Sequence, residues 1–143
     1  MINKKINKNS TKQQVILAAM DDGHNLKYAS ISIRKDKKIV LKIINRFGWA
    51  LKYADKSLRK DRAIVLVAVR KVWQNFKYAD SSVKKNRAIV LEAIKIHGGI
   101  FLFADKSLRK DREVVLAAVK SSGITIKNAD KSLRKDREIV LAA

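Results

Sequence analysis

Between Gly48 and Trp73 the apolar positions change rhythm. Leu51, Ala54 and Leu58 stand at i, i+3 and i+7, the spacing of one buried helical stripe. From Arg62 to Trp73 the apolar residues Ile64, Val65, Leu66, Ala68, Val69, Val72 and Trp73 cover more than half of a helical wheel, so that stretch needs neighbours on several sides. The pattern predicts a short first helix, a polar turn at Arg59, Lys60 and Asp61, and a longer second helix from Arg62 to Trp73. Ala63, Val67, Arg70 and Lys71 fall on its outer arc.

The same rhythm recurs. The strings IRKDKKIVLK, LRKDRAIVLV, VKKNRAIVLE, LRKDREVVLA and LRKDREIVLA place Asp36, Asp61, Asn86, Asp111 and Asp136 at intervals of 25 residues. A short fixed period of this kind marks a stacked array in which each copy buries its apolar face against the next. The expected fold is therefore all-α, an α-solenoid of tandem two-helix repeats. One helical-repeat domain is expected over 13–143, with about five copies and the last one truncated. A flexible basic arm carrying Lys4, Lys5, Lys8 and Lys12 is expected over 1–12. Asp36, Asp61, Asn86, Asp111 and Asp136 each precede an apolar run, where an Asx side chain caps a helix and faces the positive end of its dipole. Ser10 or Thr11 is expected to cap the first helix. Gly23, Gly48, Gly98 and Gly123 close each second helix and are expected in the left-handed conformation that such ends favour; Trp73 stands there in one copy.

Through LKYADKSLRKDRAIVLVAV and its copies, as far as KNADKSLRKDREIVLAA, the chain resembles the short tandem helical repeats known as domain of unknown function 4116. The resemblance covers about residues 15 to 143, with Asn86 for Asp, Trp73 for Gly and Asn128 for Tyr as departures. It implies tandem helical repeats and transfers no activity, cofactor or catalytic residue.

Charge then narrows the function. The chain holds 33 Lys and Arg against 13 Asp and Glu, a formal net charge of +20, and such an excess points to anionic partners. Much of it sits in the turns: Arg34, Lys35, Lys37 and Lys38; Arg59, Lys60 and Arg62; Lys84, Lys85 and Arg87; Arg109, Lys110 and Arg112; Arg134, Lys135 and Arg137. Equivalent positions of a stack align, so the turns should form a ladder roughly 40 Å long at ordinary helix spacing, enough to face about ten base pairs. Tyr28, Tyr53, Tyr78 and Phe103 form a second column. Preceded by Lys27, Lys52, Lys77 and Leu102, these rings can either pack adjacent repeats together or stack bases.

Catalysis finds less support. Identical residues in every copy do not make one reaction centre, there is no cysteine, and no glycine-rich phosphate loop or metal-spaced cluster is legible. His24 and His97 fall in turns and are expected as surface residues. The expectation is a non-enzymatic scaffold for macromolecular binding whose basic edge suits an acidic protein or a polyanion, the alternative being sequence-tolerant nucleic-acid binding. Neither a cofactor, a metal nor a small-molecule substrate is expected. The absence of a long apolar run argues against membrane insertion, and the lack of cysteine suits an intracellular, cytoplasmic setting.

Overall fold

A computed structural model describes residue 6 and residues 10–143. Lys4, Lys5 and Lys8 of the expected arm lie outside the described residues. Lys12 opens the first helix, Lys12–Asp21. Thr11 caps it: its Oγ1 accepts the Gln14 N–H at 3.2 Å, and the Gln14 side chain accepts the Thr11 N–H at 3.0 Å. This reciprocal box satisfies two donors that helix geometry leaves over.

Among the described residues all regular structure is helical, in short segments that repeat with the sequence. The protein is a tandem-repeat helical solenoid. It divides into two compact units, Met1–Tyr78 and Ala79–Ala143. In the first unit one full repeat comprises a 3-10 segment Gly48–Tyr53, a short helix Lys56–Arg59 and a ten-residue helix Arg62–Lys71. In the second unit the corresponding pieces are Gly98–Phe103, Lys106–Lys110 and Arg112–Ser121.

The expected short first helix is thus two pieces, and a second set of Asx caps divides them. Asp55 accepts both the Ser57 N–H at 3.0 Å and the Ser57 hydroxyl at 2.8 Å, which restarts the helix after Ala54. Asp80 with Ser82, Asp105 with Ser107 and Asp130 with Ser132 repeat the arrangement. Leu51, Ala54 and Leu58 are nonetheless all buried, so the stripe survives the break. The long helix stops at Lys71, short of Trp73, and Val72 beyond it is 50% exposed.

A ten-residue helix is too short to be stable alone, so packing must hold it. Within the first unit, helix Arg62–Lys71 packs on helix Lys37–Arg46 and on both flanking 3-10 segments. Its Ile64, Val65 and Ala68 are fully buried. Within the second unit, helix Arg112–Ser121 packs on helix Arg87–Ile96 in the same manner, with Val114, Val115 and Ala118 inside. Covering from several sides is what the wide apolar arc requires.

The glycines serve differently from the expectation. None has a positive φ. They allow close approach instead: a Cβ on Gly48 would lie 2.8 Å from the Lys71 Cβ and 3.0 Å from the Ala68 carbonyl oxygen, and one on Gly98 would lie 2.7 Å from the Ala118 carbonyl oxygen. The 3-10 segment at these two positions lies directly on the long helix of its own repeat, and hydrogen alone fits between.

Asn75 makes a related contact. Its buried side chain donates to the Ala68 carbonyl at 2.9 Å, an oxygen that also accepts the Val72 N–H at 3.3 Å where the helix ends. Asn25 does the same for Ala18 at 3.0 Å. Further backbone bonds join successive repeats: the Asp55 N–H donates to the Arg34 carbonyl at 3.0 Å, the Asp105 N–H to Lys84 at 3.0 Å and the Asp130 N–H to Arg109 at 2.9 Å.

The basic helix junctions as candidate site

Each junction between a short and a long helical segment is organised by its Asx residue. The side chains of Asp36, Asp61, Asn86, Asp111 and Asp136 accept the N–H of Ile39, Ile64, Ile89, Val114 and Ile139 respectively, at 3.0 to 3.2 Å. The same residues end the preceding segment through their own N–H groups, as Asp61 does to the Leu58 carbonyl at 3.1 Å. One residue therefore closes one element and opens the next.

At three junctions the cation that follows the cap is bound by the following repeat. Lys37 Nζ lies 2.7 Å from Asp61, Arg87 Nε lies 2.7 Å from Asp111, and Arg112 Nε lies 3.0 Å from Asp136. Arg87 also pairs with Glu113, and Arg112 with Glu138. A cation at the first position of a helix faces the positive end of the dipole, which costs free energy; the neighbouring carboxylates offset it. Hydrogen bonds to those carboxylates push the Arg87 and Arg112 guanidinium groups further above their ordinary value. In return the Arg87 guanidinium holds the Asp111 carboxyl below its usual range, and Arg112 does the same for Asp136. For Asp61, partial burial pushes the carboxyl up, and the Lys37 ammonium with the Ile64 N–H outweighs it, leaving a lowered value.

The candidate anion-binding residues thus separate into three columns. Lys37, Arg87 and Arg112 are engaged within the fold, and Arg62 likewise has a partner. Arg34, Arg59 and Arg109 are half-buried, with their Nε atoms enclosed and without a hydrogen bond; Arg109 Nη2 reaches the Leu102 carbonyl at 3.4 Å. Their stems cover apolar surface in the way long cationic side chains commonly do. Lys84, in the same column, is half-buried, whereas Arg134 is exposed. The third column is uniform: Lys35, Lys60, Lys85, Lys110 and Lys135 are all exposed, as is Arg137.

Neighbouring junctions stand side by side within each unit, as the ion pairs and the 21-residue backbone bonds require. Arg34–Lys38 adjoins Arg59–Arg62 in the first unit, and 84–87, 109–112 and 134–137 follow one another in the second. The Asp55, Asp105 and Asp130 carboxyls lie below their usual range, first because Ser57, Ser107 and Ser132 donate to them and then because cations of the preceding junction lie near.

The aromatic column is unevenly placed. Tyr28 is 56% exposed, while Tyr53, Tyr78 and Phe103 are half-buried. Lys27, Lys52 and Lys77 hold their ammonium groups over the rings of Tyr28, Tyr53 and Tyr78 at 4.5, 5.5 and 4.9 Å from the centroids. His24 is exposed, yet its ring stacks on Trp49 at 4.0 Å between centroids, and its Nδ1 lies 2.9 Å from Asp22. His97 Nδ1 accepts the Gly99 N–H at 3.0 Å. Reading one aromatic column at a time missed the His24 and Trp49 pair; their 25-residue spacing, equal to the repeat, was the signal for it.

Among the described residues no three His, Cys, Asp or Glu side chains converge as a metal site, and no helix is long and apolar enough to cross a membrane. Neither a curated protein nor a solved structure matches the chain. The family model of the domain of unknown function DUF4116 matches five overlapping times, over 12–59, 36–84, 61–109, 86–134 and 111–143. Capped junctions at each period and matches over nearly the whole length agree: the chain belongs to the DUF4116 family of tandem helical repeats.

Proposed function

We propose that this protein is a non-enzymatic helical-repeat scaffold that binds a polyanion along its basic junctions, with nucleic acid as the ligand. The observation that carries the reading is the column Lys35, Lys60, Lys85, Lys110 and Lys135, one exposed ammonium per repeat. The junction Asx side chains are already engaged as caps, three of them also in ion pairs, and these lysines face outward in every repeat. A repeated cation suits a ligand with repeated charge, and a phosphodiester backbone is such a ligand. Recurrence of the same residues in every copy suits recognition of a uniform polymer better than chemistry at one centre.

The test is fluorescence anisotropy of labelled DNA and RNA between about 50 and 200 mM salt. Affinity should fall linearly on logarithmic axes, and each of Lys60→Ala and Lys110→Ala should weaken binding and reduce the slope by roughly one phosphate contact. Both side chains are exposed, so circular dichroism should be unchanged. Binding that ignores salt, or no binding to either polymer, would sink the proposal.

A further inference from the structure

We infer that the first unit carries a stacking cleft for an unpaired nucleobase, which makes the ligand of the basic junctions single-stranded rather than duplex. The inference rests on the polyanion reading above and places one base of that polymer. His24, Trp49, Lys52, Tyr53 and Tyr78 line an open cleft of about 280 Å³, all within Met1–Tyr78. Its size falls at the lower edge of the roughly 300 to 1,000 Å³ of small-molecule sites, which suits one planar heterocycle.

Four π systems meet there. His24 lies 4.0 Å from the Trp49 ring and 6.0 Å from the Tyr53 ring, between centroids, with tilts of 36° and 55°. Phe47 supports Trp49 from 5.5 Å. Rings in a core would be sealed by apolar neighbours; here the cleft is open and lysine forms part of its wall. The Lys27 ammonium, hydrogen-bonded to Tyr28, is held above its ordinary value and lies near Tyr53 as well. Aromatic faces interleaved with ammonium groups match the two parts of a nucleotide, the base and its phosphate.

Other occupants fit less well. A cation would meet the ammonium groups of Lys52 and Lys77, already placed over Tyr53 and Tyr78 at 5.5 and 4.9 Å. An acidic peptide would use the lysines and leave the rings idle. Duplex DNA presents its bases edge-on in the grooves, where a flat ring cannot stack without unpairing them. In the second unit the repeat positions of His24 and Trp49 hold Gly99 and Ile124, while Phe103 and Asn128 follow Tyr53 and Tyr78. The repeat alone therefore does not explain the cluster.

Trp73→Phe leaves Trp49 as the sole tryptophan, and its emission reports on the cleft. Titration with oligothymidylate of about 12 nucleotides should quench Trp49 saturably, whereas a duplex of equal length should bind without quenching. In anisotropy, His24→Ala and Lys52→Ala should each weaken oligothymidylate roughly tenfold, the order of one base stack, and leave duplex affinity unchanged. Both side chains are exposed, so the fold should persist. If oligothymidylate binds with the expected salt dependence and Trp49 stays unquenched, the cleft inference falls and the polyanion proposal stands. Equal quenching by duplex overturns it too. Failure of both polymers to bind removes both.

Discussion

Replacing Asp111 separates the two tasks given to a junction carboxylate. Asp111→Ala removes the acceptor of the Val114 N–H, at 3.0 Å, and the 2.7 Å partner of Arg87. Loss of a cap of this type costs about 1 to 2 kcal/mol. Asp111→Asn keeps the acceptor, as Asn86 does for Ile89 at 3.1 Å, and removes only the charge. Its destabilisation should therefore be less than half that of the alanine variant. Because repeat arrays can unfold piecemeal, a local readout is best: amide exchange at Val114 should quicken about tenfold in Asp111→Ala, the factor that corresponds to about 1.4 kcal/mol, and much less in Asp111→Asn. Acid supplies a further check. The Arg87 guanidinium holds the folded Asp111 value below its ordinary 3.8. The stabilisation from its charge is then fully present above that unfolded value and lost as pH falls through the folded one. Urea midpoints of the native protein and Asp111→Asn should converge below about pH 3.8. Equal exchange rates for the two variants at neutral pH would refute the capping account and make the ion pair the dominant contribution.

Gly98→Ala should destabilise by about 1 to 3 kcal/mol through overpacking, since its Cβ would meet backbone oxygen at 2.7 Å; a urea melt that moves by less than experimental error would disprove the close approach. Asn75→Ala removes one of the two donors to the Ala68 carbonyl, which keeps the Val72 N–H at 3.3 Å, so it should cost about 1 kcal/mol, the net contribution of one hydrogen bond, measurable as faster exchange and a lower melting temperature, whereas Asn25→Ala, at a less buried position, should cost less.

Much of the fold could be read from spacing, because a period of 25 residues acts on every copy at once. The stripe of Leu51, Ala54 and Leu58 and the arc around Ile64 to Val69 lie buried where periodicity puts them. What spacing could not supply was local hydrogen bonding. The break after Ala54 comes from Asp55 bonding Ser57, a competition between side chain and backbone that leaves hydrophobic period untouched. The glycines were open to misreading for a similar reason: sequence shows that a Cβ is unwelcome, and only geometry shows whether a torsion or a neighbouring atom forbids it. At the junctions, a list of Arg and Lys cannot tell an engaged cation from an outward one. Arg87 and Lys85 are two residues apart and have different surroundings, Arg87 bound to Asp111 and Glu113 of the next repeat, Lys85 exposed.

The ion pairs from Lys37, Arg87 and Arg112 to a carboxylate 24 residues later have a genetic consequence. In these pairs a repeat supplies a cap to itself, an anion to its predecessor and a cation to its successor, so a whole copy can be inserted or lost with such junctions remade. An insertion of any other length puts cation and carboxylate out of step, as well as the 21-residue backbone bonds. Length in such a protein can change freely in units of the repeat and hardly at all between them, so relatives would differ in the number of copies sooner than in the size of one.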